Sequence, residues 1–591
     1  MTADSMRNVL SKTAERRINR RRLLQGAAAL GMSAPALTGA LGPRSFYASA
    51  QDATDGILTI SQEQQQTWVR NFNPFLPDSS GSRWPTQAGI YEPQMIYNDL
   101  TGELVPWLAT DYAFSTDNTT LTFTIRDGVT WSDGTPFTAK DVAFTFNLIK
   151  DTPGLTSPSG VTAAFGDAGY LSTIEATDDK TVVFTFSKVF TPGLYDIAEQ
   201  PIVPEHIWST VDDPVAFTNE NPVATGPFTE ITRFETQVWQ LEKNPTYWQE
   251  GLPKVQGFRF PAYATNDQAN LATINGDNDW AGNFIPDIQK TYVDKDPEHN
   301  HYWFPSTGAV VHLYAQTTKA PWDNVDVRKA LSMAINRDQI VQIAMFDYTH
   351  PADGTGMSDA FESWKDQAAV DAGAEWVKYD PDAANALLDA AGFTKDGDTR
   401  KLPDGTPMEY DLNVVTGWSD WVSSCEIMAQ NFAEIGIKAT VQPYDVSTWQ
   451  DRVQKGDFDL TIGWSSQGAT PLNFYRGVMS PDTVEQTGTT GTENWQRYAS
   501  TEAKTLLDQF AATSDQDEQK AIVAKLSMAY ATEVPGIPLF PGPQWGEFNT
   551  ARFTGFPNED DPYALLSTYE FSGRLLVMTR IEPVGASTPT A

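Results

Sequence analysis

At 591 residues the chain is too long for a single hydrophobic core, so two or three domains are expected. Its 76 Asp and Glu against 41 Lys and Arg give a formal net charge of −35 at pH 7, and it carries 31 Phe, 20 Tyr and 18 Trp. That surface repels nucleic acid and anionic lipid, and the basic patches either partner needs are absent from the sequence.

The first fifty residues read as an export signal. A basic stretch ends in Asn19-Arg20-Arg21-Arg22-Leu23-Leu24-Gln25, which matches a twin-arginine signal, and Ala48-Ser49-Ala50 offers a cleavage site before Gln51. Between them the run from Leu23 to Leu41 is rich in Ala and Gly and broken by Pro, unlike a membrane anchor. Eight of the 41 basic residues and two of the 76 acidic ones lie in this segment, leaving 33 against 74, a net of −41. The one cysteine, Cys425, cannot form an internal disulfide, and no cysteine stands near the cleavage site to take a lipid. The expectation is a soluble monomer exported in folded form to the periplasm or cell surface.

From Gly56 to Leu104 the chain is loop-rich, with Trp68, Asn71, Asn73 and Trp84 among Pro and Gly breaks. Thr120–Ile125 and Thr181–Phe186 alternate as strands. Between them Thr138 with Asp141 three residues on forms a capping box that opens an amphipathic helix. Thr225 to Trp248 reads as a hairpin, Ala309–Ala315 as a strand, and Val325–Met345 as a helical region with Val327, Ala330, Leu331, Ala334 and Ile335 on one face. Asp380 and Pro381 start another helix that stops at Gly392.

The stretch from Tyr410 to Tyr475 follows β-α-β logic. Asp411–Val415 reads as a buried strand, Ser419 as the cap of a helix with Cys425, Met428, Phe432 and Ile435 on its apolar face, and Gly436 as its stop. Ile437–Val441 and Phe458–Gly463 resume as strands. In open α/β sheets ligands sit outside the carboxyl ends of the strands, where Trp418 and Trp464 fall. Their neighbours Ser419, Asp420, Ser465, Ser466, Gln467 and Asn473 are small or polar and suit a cleft mouth. The segment Val534 to Tyr563 is Pro/Gly-rich and extended. It is expected to return to the first lobe, so that Ala309–Ala315 and Pro535–Phe540 are the crossing strands of a hinge. The tail from residue 583 reads as disordered.

Four blocks in order, Asp127 to Phe146, Thr225 to Trp248, Asp326–Ile340 (DVRKALSMAINRDQI) and Tyr379–Phe393 (YDPDAANALLDAAGF), resemble the solute-binding proteins of ABC transporters, in the large dipeptide/oligopeptide-binding class (family 5). The resemblance implies an α/β, two-lobed periplasmic-binding-protein fold (class II, large type with an extra subdomain) joined by a two-strand hinge. On that frame residues 51–308 form lobe I with a subdomain at about 93–220, 309–534 form lobe II, and 535–582 return to lobe I. It also implies a small-molecule ligand and an ABC permease partner in the membrane, with no cofactor.

Peptide binders of this class carry a pattern like G-W-x-x-D-Y-x-D-P-x-N-F, whose carboxylate takes the peptide ammonium. Here the stretch from Gly463 to Phe474 contains neither Asp, so a buried ammonium is left without a counter-charge. Indole plates beside amide and carboxylate groups instead suit sugar rings. Trp418 and Asp420, Trp464 with Ser465, Gln467 and Asn473, Trp280 with Asn283, and Trp545 after Gln544 offer that pairing, as do Trp68 and Asn73 in the loop-rich region. Arg476 is a further candidate for ring hydroxyls. The GWSDW, FPGPQW and GFPNEDDPY elements resemble the oligosaccharide (cellobiose-type) branch, which makes a neutral oligosaccharide the expected guest and a di- or oligopeptide the alternative. Five His, no H-E-x-x-H and no G-x-S-x-G argue against an enzyme.

Overall fold

A computed structural model of the chain describes residues 56–62, 67–76, 89–166, 169–569 and 573–585. The export signal and its cleavage site, Trp84, and the tail from 586 onward lie outside the described residues.

The expected β-α-β unit is present. Glu409–Val415 and Lys438–Tyr444 are parallel neighbours with Leu412 opposite Val441, and the helix Ser419–Glu434 connects them. Cys425, Met428, Phe432 and Ile435 are all fully buried, and Gly436 takes φ +80°, which any side chain would strain. Ser419 is not the cap. Trp418 holds that position without a side-chain hydrogen bond, and its ring meets Trp421 edge-on at 4.9 Å. An aromatic contact across the first turn thus fixes the helix entry that a hydroxyl was expected to fix.

Leu460–Trp464 pairs parallel to Glu409–Val415, and Gly308–Ala315 and Ile537–Gly542 follow antiparallel, completing a five-stranded sheet. Its core runs from Leu313 and Ile462 to Phe432 and Trp449. A seven-stranded sheet carries Ile57–Ser61 near its centre, flanked by Gly257–Pro261 and Trp280–Ala281, with Glu547–Asn549 and Asn300–Tyr302 at one end. The expected hairpin, Phe228–Glu235 with Val238–Lys243, forms its other end. Thr120–Ile125 and Thr181–Phe186 pair inside a separate four-stranded sheet, covered by the helix Ala139–Asp151. That helix opens with the capping box, Thr138 N–H donating to Asp141 at 2.9 Å.

One expectation needs correction. Ile537–Gly542 pairs with Gly308–Ala315, so the return to the first sheet begins after Gly542 and not at 535. Pro538 and Pro541 are tolerated because this is an edge strand of its sheet. The crossovers are therefore the short segments 303–307 and 543–546, just beyond the ends of the two expected hinge strands. Val325–Met345 is helical as expected, with Val327, Ala330, Leu331, Ala334 and Ile335 buried, but in three pieces. Val325–Ala334 stops at Ile335, Asn336 caps a new turn, and Ile340–Ala344 winds as a π-helix. Buried Arg337 holds the break by donating to the carbonyls of Ser332, Val377 and Pro538.

Candidate functional site

A cleft of about 380 Å³ lies where the crossovers pass between the two larger sheets. On the five-stranded side it is lined by Trp418, Trp421 and Trp464, whose ring centres lie 4.9 to 6.1 Å apart. The strand Leu460–Trp464 ends at the cleft, and the helix Ser419–Glu434 begins there, so strand-end geometry brings these indoles together. Fully buried Trp449 stands behind them, 5.3 Å from Trp464, with its N–H donating to Thr461 Oγ1. Trp495 closes the cluster at 5.4 Å from Trp464. The exposed faces are thus backed by a stiff aromatic wall.

Trp545 lines the opposite wall. It is wedged edge-on against Phe284 at 5.6 Å and Phe304 at 4.9 Å, and its backbone N–H donates to Tyr569 Oη at 3.2 Å. Four carboxamides, Asn266, Gln450, Gln467 and Gln544, complete the polar lining, and Gln467 is held by its amide donating to Thr307 O at 2.7 Å. Among the described lining residues there is no Lys, Arg or His, and the one acid is Asp420. Burial pushes the Asp420 carboxyl up to about 6, with hydrogen bonds from the Trp421 and Asp420 amides and from Asn266 pulling the other way. No group of three or more His, Cys, Asp or Glu that could hold a metal occurs among the described residues.

Of the residues expected at the site, Trp418, Asp420, Trp464, Gln467 and Trp545 line this one cleft. The others have different roles. Trp280 is fully buried in the core of the seven-stranded sheet, its N–H donating to Leu566 O at 2.7 Å. Its companion Asp279 is bound by Arg552 and accepts the Thr59 N–H, so that motif is a staple between strands. Trp68 is buried edge-on against Trp239 at 6.1 Å. Asn73 is fully buried and ties its loop to the carbonyls of Pro214 and Phe217. Asn283 is buried behind the lining residue Gly282, accepting from Ser61 Oγ while its backbone N–H donates to Glu547. Ser465 continues the sheet ladder to Val310 O, and Asn473 packs against Gly468. Arg476 is engaged by Glu493 through two hydrogen bonds of 3.2 and 2.7 Å, outside the cleft lining.

Asn266, Gln450, Phe284 and Tyr569 were not expected at the site. Gln450 follows Trp449 on a short helix, so only its sequence neighbour hinted at it. Asn266 meets Gly417 and Ser419 some 150 positions away, and Tyr569 meets Pro543 and Trp545 across a loop of irregular chain, so no local pattern marks either.

Residues 103–486 match the family described as Bacterial extracellular solute-binding proteins, family 5 Middle. The chain belongs to this family. It is therefore a solute-binding receptor of an ABC importer, and the family works with a permease in the membrane. No helix among the described residues is long and apolar enough to cross a membrane. Among relatives of this family 5 receptor, a putative ABC transporter peptide-binding protein of Brucella ovis is 28% identical over 468 residues, 76% of this chain and 81% of the relative. A glutathione-binding protein of Escherichia coli is 26% identical over 455 residues, 73% and 79% of the two chains. The crystal structure of a periplasmic oligopeptide-binding protein of an ABC transporter from Thermotoga maritima is similar at 28% identity and a TM-score of 0.80, covering 90% of this chain and 99% of that one. A second crystal structure of that protein, with mannohexaose bound, gives 27% and 0.79 at the same coverage. These two-lobed neighbours have the fold expected from the sequence.

Proposed function

We propose that this receptor binds a neutral oligosaccharide of the cello-oligosaccharide type between its lobes and hands it on unchanged to the permease. The observation that carries this reading is the cleft lining, with four indoles and four carboxamides but no cationic side chain among the described residues. Indole faces suit the C–H faces of pyranose rings, and amides suit their hydroxyls. A ligand carboxylate, by contrast, finds no Lys or Arg to pair with there. The mannohexaose held by the Thermotoga neighbour is consistent with a sugar-compatible cleft in this fold. The volume is near the small end of the roughly 300–1,000 Å³ typical of ligand sites, which favours a short chain. In this reading Trp418, Trp421, Trp464 and Trp545 stack, and Asp420, Gln450, Gln467, Gln544 and Asn266 take hydroxyls.

Lobe I is read as 51–308 with a subdomain near 93–220, and lobe II as starting at 309 and ending at Gly542. Export by the twin-arginine route and a monomeric state are part of the same proposal.

A di- or oligopeptide is the second reading. The names of the relatives and the Asp420 carboxylate, which could take an ammonium, favour it. Calorimetric titration with cellobiose, mannobiose and cello-oligosaccharides, beside di- to pentapeptides and glutathione, separates the two. Saturable binding of a neutral sugar alone is expected, and a response to peptides alone refutes the sugar reading.

A further inference from the structure

Asn266 reaches across the cleft. It opens the helix Asn266–Ile274 on the seven-stranded side, behind the cap Thr265. Its backbone N–H donates to Gly417 O at 3.3 Å, and its side-chain amide donates to Ser419 Oγ at 3.4 Å, both on the five-stranded side. Gly417 has φ +86°, and a Cβ there would stand 3.2 Å from Thr265 Cγ2. The two sides therefore touch along 265–266 and 417–419. Asp420, next in sequence and hydrogen-bonded to Asn266, is only 6% exposed.

A carboxylate shut into such a place loses water, and an unpaired buried charge is costly. The helix N-terminus and two amide N–H groups offset part of that loss. No cation does. The ionisable groups on the packed elements are Asp267 beside Asn266, Cys425, Glu426 and Glu434 further along the Ser419 helix, the lining residue Tyr569, and, on the helix bearing Gln450, Asp445 at the cap, Asp451 and Arg452. Arg452 on that last helix is taken by Asp457 at 2.9 Å and lies over Tyr444.

We propose that Asp420 makes lobe closure conditional on the guest: the lobes shut over this carboxylate when a ligand hydroxyl donates to it, and a guest presenting an anion there is refused. The choice of guest rests on the sugar reading, whereas the behaviour of the empty protein does not. In an open cleft the carboxyl returns to its ordinary range, so closing takes up a proton. The closed population of the empty protein rises as pH falls through about 6 and levels off below the ordinary carboxylate range. At neutral pH the ionised carboxylate biases the empty receptor towards the open form, which lowers the number of unloaded closed molecules that meet the permease.

The test is lobe-to-lobe energy transfer on the ligand-free protein, with dyes on exposed positions of the two lobes. Between pH 7 and pH 4.5 the closed-to-open ratio should rise on the order of thirtyfold in the wild type. In Asp420→Asn and Asp420→Ser it should be high at pH 7 and flat with pH. It should still respond in Glu92→Gln, which neutralises another buried carboxyl whose partners Tyr247, Trp107 and Trp248 all lie in the first lobe. In a second arm, wild type should bind cellobiose at least tenfold more tightly than cellobiuronic acid at pH 7, with the gap narrowing in Asp420→Asn. A wild-type ratio indifferent to pH, or Asp420 variants that keep the response, overturns the proposal. Asp420→Asn and Asp420→Ser are independent substitutions, so a misfolded one leaves the other to decide. An empty protein that responds as expected while cellobiose fails to bind upholds the closure rule and removes the sugar reading.

Discussion

Removing the Trp418 ring separates the cleft's aromatic wall from the rest of the fold. In Trp418→Ala the protein loses one half-buried indole that meets Trp421 at 4.9 Å, Trp464 at 6.1 Å and Trp449 at 6.3 Å. Truncating a fully buried Trp costs about 3–5 kcal/mol, and this one already shows a face to solvent, so roughly 2–3 kcal/mol of stability is expected to go. For a lobe of this size that is a fall of roughly 5–10 °C in Tm. The lost face should cost ligand binding another ~1–2 kcal/mol, about tenfold in Kd. Trp280→Phe is the matched control. It leaves Leu566 O without its indole partner in the seven-stranded core, so it should lower Tm by a few degrees with affinity unchanged. Calorimetric titration with cellobiose and thermal melting of both variants decide the matter. Unchanged cellobiose affinity in Trp418→Ala, with a Tm loss equal to that of Trp280→Phe, would refute the assignment of Trp418 to the ligand.

Arg337→Met should destabilise by ~3 kcal/mol or more, visible in chemical denaturation, because it strips the buried carbonyls of Ser332, Val377 and Pro538 of their donor. His312 is fully buried and burial holds its pKa down at about 4, so the unfolded chain binds a proton the folded one refuses. Stability should therefore fall as pH drops from about 6.5 to 4, by up to ~3 kcal/mol, and His312→Gln should flatten that limb. Glu92 has the opposite sign. Burial raises it to about 7 although Tyr247, Trp107 and Trp248 donate to it at 2.8, 2.7 and 3.0 Å. Its contribution is complete below about 4.5 and is lost as pH rises through 7, so Glu92→Gln should remove a fall of up to ~3 kcal/mol across that window in denaturation series.

Local pattern carried most of the fold. Cys425, Met428, Phe432 and Ile435 share a helix face because their spacing follows the helical period, and Thr138 with Asp141 is a cap because the two groups satisfy each other within one turn. The same local reasoning brought Trp418 and Trp464 to a strand-end rim, since in an α/β unit the chain's own direction fixes that rim. It failed for Ser419, where an aromatic contact replaced the hydroxyl cap, and in 325–345 it found the helical region and its buried face but not the breaks that a buried arginine holds.

For Trp280, Trp68, Asn73 and Asn283 the sequence determined the residue type suited to a sugar but not the surroundings. A Trp beside an Asn reads alike whether its N–H meets a guest or Leu566 O, and only packing between distant segments separates the two. Composition and order of motifs determined the family, the two lobes and the aromatic character of the site. Which indoles face the cleft, that Asn266 bridges to the Gly417 turn, and that Asp420 is shut in without a cation were decided by tertiary structure. These are contacts between residues some 150 positions apart, and no periodicity of 2 or 3.6 residues records them.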